Sequence, residues 1–155
     1  MAALTCVCTL VVRVPVPGTH GYVNMGDGIL MLAALLFGPK IGFAAGAVGS
    51  ALADIAGGYA IYAPVTFFVK GLEGAALGFI AHRHFSEKPS SFRTFLGFGI
   101  ASFVLVGGYF AAEFFMFGFP AALAGIFANC GQALAGCALA LATGTALSKV
   151  VRRSY

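Results

Sequence analysis

The chain has 155 residues, of which 60% are hydrophobic and only 9% charged, with 22 glycines besides. A soluble domain carries about a quarter of its residues as charges, so an ordinary water-soluble domain is excluded and lipid is the expected solvent. The net charge of +4, spread over nine Lys and Arg, is too sparse for a phosphate-tracking surface and excludes nucleic acid as a partner. A mean hydropathy of +0.96 agrees, and the length suits a single membrane domain, 1–155.

Hydrophobic runs broken by Gly, Pro and charge predict six helices, at about 2–14, 25–38, 40–57, 64–82, 92–117 and 119–148. The expected fold class is an all-α integral membrane protein, a bundle of six transmembrane helices. Residues Met1 to Leu10 lack a positive n-region and a small-residue cleavage site, so they read as a retained first span and not as a signal peptide. Pro15, Pro17 and Gly18 end that helix, Gly38 and Pro39 the second, and Pro64 and Pro120 sit near helix starts. At 1.5 Å per residue the first two helices reach only ~20 Å, short of a ~30 Å hydrocarbon core, so they must tuck against neighbours.

Basic residues orient the bundle. Lys40, the set Arg83, Lys88 and Arg93, and the tail set Lys149, Arg152 and Arg153 fall on one side, against Arg13 on the other. The positive-inside rule then places both termini in the cytoplasm and the connections at 15–24, 58–63 and around 118 outside. Five spans would break this asymmetry.

Small residues recur every four positions on the third helix, as Gly42, Gly46, Ser50 and as Ala45, Gly49, Ala53, Gly57, and on the sixth from Ala124 through Gly136 to Ser148. Such stripes permit close helix approach in lipid. On the sixth helix the expectation is internal packing; two stripes on the third exceed one neighbour's needs and leave room for partner docking. The cysteines, Cys6, Cys8, Cys130 and Cys137, lie in apolar runs without a CxxC and read as packing residues.

Ionisable groups inside spans are costly and mark candidate sites. Lys70 and Glu73 share a face of the fourth helix, Tyr109 and Glu113 one of the fifth, and Asn129 and Gln132 one of the sixth. All six fall in the outer half of the bundle or near its midplane, Lys70 roughly 9 Å and Glu73 about 13 Å below the helix start. The outer connections add Tyr22, Asn24 and Asp27, Asp54, and Tyr59 and Tyr62. Together these can ring a small, flat, polar molecule. Three embedded charges exceed what a self-neutralised Lys70–Glu73 pair explains, whereas Asp27 also suits a helix N-terminus and the outer tyrosines also suit interfacial anchoring. His20, His82 and His84 read as loop and loop-flanking residues. No lysine is followed by Ser or Thr, so there is no phosphate-binding GxxxxGK[ST] loop, and GxSxG and HExxH are missing too. No cofactor, metal or catalytic residue is expected.

The segments Gly21-Tyr22-Val23-Asn24-Met25-Gly26-Asp27, Gly38-Pro39-Lys40, Gly49-Ser50-Ala51-Leu52-Ala53-Asp54, Gly58-Tyr59, Tyr62-Ala63-Pro64 and Lys70-Gly71-Leu72-Glu73-Gly74 together resemble an energy-coupling factor (ECF) transporter S component. The resemblance is dense from about 15 to 80 and continues in helix character to about 148. It implies a six-helix subunit in a prokaryotic cell membrane that captures a vitamin near the outer face. That subunit would join a transmembrane coupling (T) subunit and two cytoplasmic ATPases. Within the family the motifs are most similar to the small S components for vitamin B6 or hydroxymethylpyrimidine-type substrates, and less like the riboflavin binders. Family docking uses Ala-xxx-Ala on the first helix, for which Ala2-xxx-Cys6 is the nearest match; the short first helix is what a truncated start would give. With Gly42, Gly46 and Ser50, Ala2 and Cys6 form the expected docking set. The rival readings are an assembly subunit in which the buried charges are interhelical ties, and a solitary carrier or channel.

Overall fold

The computed structural model describes residues 1–15, 22–85 and 87–153, with side chains described through 148. Pro17, Gly18, His20 and Gly21 lie outside the described residues, as do the side chains of Lys149, Arg152 and Arg153. Six helices are present: α1 (Ala2–Val11), α2 (Gly26–Phe37), α3 (Pro39–Gly57), α4 (Ala63–Phe85), α5 (Phe92–Phe117) and α6 (Phe119–Arg153). Between α1 and α2 lie two short strands, β1 (Arg13–Pro15) and β2 (Tyr22–Asn24).

The first helix stops at Val11, short of the expected 14. Val11, Val12 and Val14 are β-branched and Pro15 follows, a run that favours extended backbone over another helical turn. Val12 is already extended, and Arg13–Pro15 form β1 instead, antiparallel to β2 with Arg13 opposite Asn24 and Val14 opposite Val23. Elsewhere helices run longer than expected: α4 begins one residue early and runs on to Phe85, and α6 continues past 148. Gly38 takes φ +87°, a left-handed value that glycine adopts freely, so α2 turns directly into Pro39 at the first turn of α3. Ser91 caps α5 by accepting the Thr94 N–H at 3.2 Å.

Successive helices α3, α4, α5 and α6 pack side by side, while α2 runs through the middle in contact with α1, α3, α4 and α6. Every residue from Leu30 to Leu35 is at most 8% exposed. At 12 residues, or about 18 Å, α2 is too short to span a bilayer alone, but its neighbours wall it in. By length and composition α4, α5 and Phe119–Ser148 of α6 are able to cross a membrane. Phe79, Phe103, Phe115 and Phe127 point outward at 83, 78, 84 and 81% exposure, as a lipid-facing surface requires and a water-facing one does not.

The small-residue stripes of α3 serve two internal neighbours. Gly42 and Gly46 face α4: a Cβ on Gly42 would stand 2.7 Å from the Gly74 carbonyl oxygen, and one on Gly46 would collide with the Lys70 carbonyl. On the other stripe, Gly49 faces α1, where a Cβ would stand 2.6 Å from the Ala2 carbonyl oxygen and 2.8 Å from Thr5. Gly42, Gly46 and Ser50 are buried, which corrects the expectation that they dock a partner: α4 already occupies the face of Gly42 and Gly46, and Ser50 lines an internal cavity. Ala2 and Cys6 are half-buried on α1. The inward stripe of α6 packs within the bundle as expected, Gly136 against Asp27 and Gly144 against Phe85.

Because Gly42 meets backbone as well as side chain, Gly42→Val is expected to destabilise the bundle by about 1–3 kcal/mol or more, read as a lower unfolding temperature in detergent. Gly99→Ala, where a new Cβ meets nothing within 4 Å, is expected to leave that temperature unchanged or raise it slightly.

Candidate functional site

The helix ends bearing the β1–β2 hairpin gather most of the polar side chains of the bundle. Tyr62, Thr66, Lys70 and Glu73 follow one another at three- and four-residue spacing, so α4 and the residue before it present them on one face. All four are buried. From α5 come Tyr109 and Glu113, from α6 Gly125, Ala128, Asn129 and Gln132, from α3 Ser50 and Asp54, from β2 Tyr22 and Asn24, and from α1 Thr9. With Tyr62, Thr66 and Lys70 these residues line one cavity. It is narrow, about 30 Å³. At roughly 10–15 Å³ per water it holds a few small groups, and a ring-sized ligand enters only by displacing side chains.

Nine residues expected from the sequence line it: Tyr22, Asn24, Asp54, Tyr62, Lys70, Tyr109, Glu113, Asn129 and Gln132. Asp27, Glu73 and Tyr59 are not among its lining residues. Asp27 and Glu73 hold Lys70 from behind. The Lys70 ammonium is in ion-pair contact with Asp27 Oδ1 and, at 3.2 Å, with Glu73 Oε2; all three side chains are at most 1% exposed. Asp27 is thus a buried counter-ion, beyond the helix-terminus role its position alone allowed. Tyr59 packs against Tyr22 with ring centroids 4.5 Å apart and the rings tilted by 53°. Thr9, Thr66, Gly125 and Ala128 were not anticipated, nor was Ser50 in this role. Thr66 was within reach of spacing arguments, lying four residues from both Tyr62 and Lys70, and Thr9 lies one turn from Thr5 on an otherwise apolar helix.

A chain of hydrogen bonds ties the hairpin to this ion cluster. Asp27 Oδ2 accepts from Gln132 Nε2 at 2.8 Å, Gln132 Oε1 accepts the Asn24 N–H at 2.7 Å, and Asn24 Oδ1 accepts the Gly26 N–H at 2.8 Å. The hairpin, α6, α2 and α4 are therefore joined through four side chains. A second tie runs to the end of α3. Tyr22 OH donates to Asp54 Oδ1 at 2.8 Å. Arg13 lies 5.8 Å from the centre of the Tyr22 ring and donates to the Gly57 carbonyl at 3.1 Å. Burial, reinforced by the Asp54 charge, pushes the Tyr22 phenol up, so it remains a donor.

On the opposite wall Tyr62 OH donates to Glu113 Oε1 at 3.4 Å, and the hydroxyls of Thr66 and Tyr109 meet at 2.9 Å. The Tyr62 and Tyr109 rings are 6.5 Å apart and tilted by 52°, and the Lys70 ammonium lies 5.7 Å from the centre of the Tyr109 ring. Aromatic faces, carboxylates and amides thus converge from three helices and the hairpin, the composition of a small-molecule site. Among the described residues no three His, Cys, Asp or Glu side chains gather as a metal ion would need. His82 Nδ1 pairs with the Leu35 carbonyl oxygen at 2.9 Å, and His84 with Arg93 at 2.7 Å.

Removing the cation from the buried cluster strands two carboxylates. Lys70→Met is expected to cost about 3–5 kcal/mol, seen as a fall in unfolding temperature. Adding Asp27→Asn to it is expected to recover part of that loss.

Comparison with known proteins adds the family. Residues 1–149 match the family model described as ECF-type riboflavin transporter, S component. A Pyrococcus woesei protein described as "uncharacterized protein in gap 3'region" is 38% identical over 144 residues, covering 92% of this chain and 93% of its own length. The thiamine precursor transporter HmpT of Lactococcus lactis subsp. cremoris (strain MG1363) is 28% identical over 139 residues, 89% of this chain and 77% of that protein. The family model and the second relative name different vitamins, yet both are transport proteins. With nearly the whole chain matched and six helices in place, the protein belongs to the ECF-type riboflavin transporter S-component family, as a membrane transport protein and not an enzyme.

Proposed function

We propose that the cavity beneath the hairpin captures a water-soluble vitamin or vitamin precursor built on one small heteroaromatic ring. The observation that carries this reading is the convergence of Tyr62, Tyr109, Glu113 and Asn129 on one enclosed polar space. Paired aromatic faces hold a flat ring, and the carboxylate and amide fix its orientation. The similarity to a thiamine precursor transporter supports a single-ring ligand over the fused three-ring system of riboflavin, and the narrowness of the space, about 30 Å³, means that either would have to displace side chains to enter. In this reading Asp27, Glu73 and Tyr59 support the site from behind, while Tyr22, Asn24, Lys70, Tyr109 and Gln132 form its wall.

Topology supplies the direction. The cavity and Arg13 lie at one end of the bundle, and Lys40, Arg83, Lys88 and Arg93 at the ends of helices pointing the other way. That asymmetry supports a cavity open to the outside and both termini in the cytoplasm, in the membrane of a prokaryotic cell. The whole chain acts as one membrane domain. It hands its ligand inward through a T subunit and two ATPases, with Ala2 and Cys6 on the partly exposed flank of α1 contributing to the T-subunit contact.

Calorimetric titration of the purified protein in detergent with single-ring vitamins and precursors, thiamine and riboflavin tests this. A single-ring compound is expected to bind, Tyr62→Ala or Asn129→Ala to weaken it about tenfold or more, and riboflavin to bind far less well. Tight riboflavin binding would overturn the ring-size assignment. No binding by a folded sample would overturn the site itself.

A further inference from the structure

The end of the bundle away from the cavity carries a different charge. Of the five Asp and Glu in the chain, Asp27, Asp54, Glu73 and Glu113 are buried at the cavity or behind it, and Glu87 alone lies at the far end, exposed. There Lys40, Arg83, Lys88 and Arg93 are all exposed. None of the four has a carboxylate partner among the described residues, where both ion pairs belong to Lys70.

Three of these cations sit at the corner between α4 and α5, which is held by its own hydrogen bonds. The Lys88 N–H donates to the His84 carbonyl at 2.8 Å and the Ser91 N–H to the Lys88 carbonyl at 3.0 Å, so the chain turns within a few residues and Lys88 stands between the two helices. Arg93 Nη1 lies 2.7 Å from His84 Nε2. A guanidinium only donates, so His84 accepts and steadies one edge of the fork, leaving the other N–H groups for a partner. The same helix ends expose large rings: Phe79, one turn before Arg83, at 83%, and Phe92 and Phe95, flanking Arg93, at 80 and 53%. Such rings are costly in water and at home among acyl chains.

We propose that this corner binds the phosphate of an anionic phospholipid. Arg93 and Arg83 take the phosphate oxygens, Lys88 adds a point charge, and the acyl chains lie along Phe79, Phe92 and Phe95. Charge complementarity selects the occupant. Three cations against the single carboxylate of Glu87, beside an aromatic surface, match a headgroup that is anionic and carries chains; a zwitterionic lipid offers no net charge, and soluble phosphate offers no chains. Placing the lipid in the cytoplasmic leaflet rests on the orientation proposed above, whereas the pairing of phosphate with Arg93 does not, so the two can fail separately.

The test uses the full chain in nanodiscs holding equal parts of phosphatidylglycerol and phosphatidylcholine, released into neutral detergent and weighed by native mass spectrometry for retained lipid. Phosphatidylglycerol is expected to be retained about fivefold or more over phosphatidylcholine, and the preference to shrink in high salt. Arg93→Gln is expected to bring the ratio toward unity, while Lys40→Gln, at the same end but on α3, leaves most of it. Calorimetric titration with glycerol phosphate, the headgroup without chains, is expected to show no binding. Equal retention of the two lipids by the unmodified protein overturns the inference, and that measurement depends on no variant. An Arg93→Gln protein that keeps the ratio overturns it too, as does a Lys40→Gln protein that loses as much. Glycerol phosphate binding as tightly as the lipid overturns the lipid in favour of a soluble phosphate. The leaflet is read separately: Lys88→Cys in intact cells is expected to resist a membrane-impermeant thiol reagent, and labelling from outside overturns the orientation while the lipid site stands.

Discussion

Burying the Lys70 ammonium in an apolar bundle costs several kcal/mol in lost hydration, and the fold offsets that cost by bringing Asp27 from α2 and Glu73 from the next turn of α4 into contact with it. Much else follows from this placement. Asp27 reaches Lys70 only because α2 runs through the centre of the bundle, and α2 is at home there only because nearly every residue from Gly26 to Leu35 is small or apolar and shielded by its neighbours. The α3–α4 contact has the same logic. Gly46 admits the Lys70 backbone at a distance no Cβ would allow, so the helix that carries the charge sits deep enough for its partners to meet it.

Satisfying Lys70 from behind has a consequence in front. Asp27 also takes the Gln132 amide, and Gln132 takes the backbone N–H of Asn24, so the hairpin over the cavity is fastened to the ion cluster through one side chain from α6. Tyr22 and Arg13 fasten its other side to the end of α3. A ligand that perturbs Gln132, Tyr22 or Asn24 therefore acts on the covering hairpin and on the buried charge network together. With the ammonium engaged, the cavity wall presents carboxylate oxygens, aromatic faces, and the hydroxyls and amides of Thr9, Ser50 and Asn129, a surface suited to a flat polar ring.

Much of the bundle was legible in the sequence because lipid simplifies the pattern. Spans must be long apolar runs with every backbone group satisfied internally, so Gly38, Pro39, Gly58 and Gly118 mark helix ends almost where they occur. The end of the first helix escaped because Val12 and Val14 are as hydrophobic as a span needs; only their β-branching and the partner strand across the hairpin make Val12 extended and put Val14 in β1. The stripes on α3 were legible as close-packing surfaces, but a stripe states that a neighbour approaches and not which one. Here α4 takes Gly42 and Gly46 and α1 takes Gly49, leaving none of the three for a partner subunit.

The candidate site divides along the same line. Sequence by itself determined the solvent, the number of helices, the resemblance to a transport family and the set of buried polar side chains, since each rests on composition or on spacing within one helix. Only the tertiary structure decided who pairs with whom. Lys70 meets Asp27 from 43 residues away, Gln132 meets Asn24 from 108 residues away and Tyr62 meets Glu113 across 51 residues. Helical periodicity carries no information over such separations. Which of the polar residues stand behind the cavity as counter-ions, and which face into it with an oxygen to spare, depends on how the helices pack side by side.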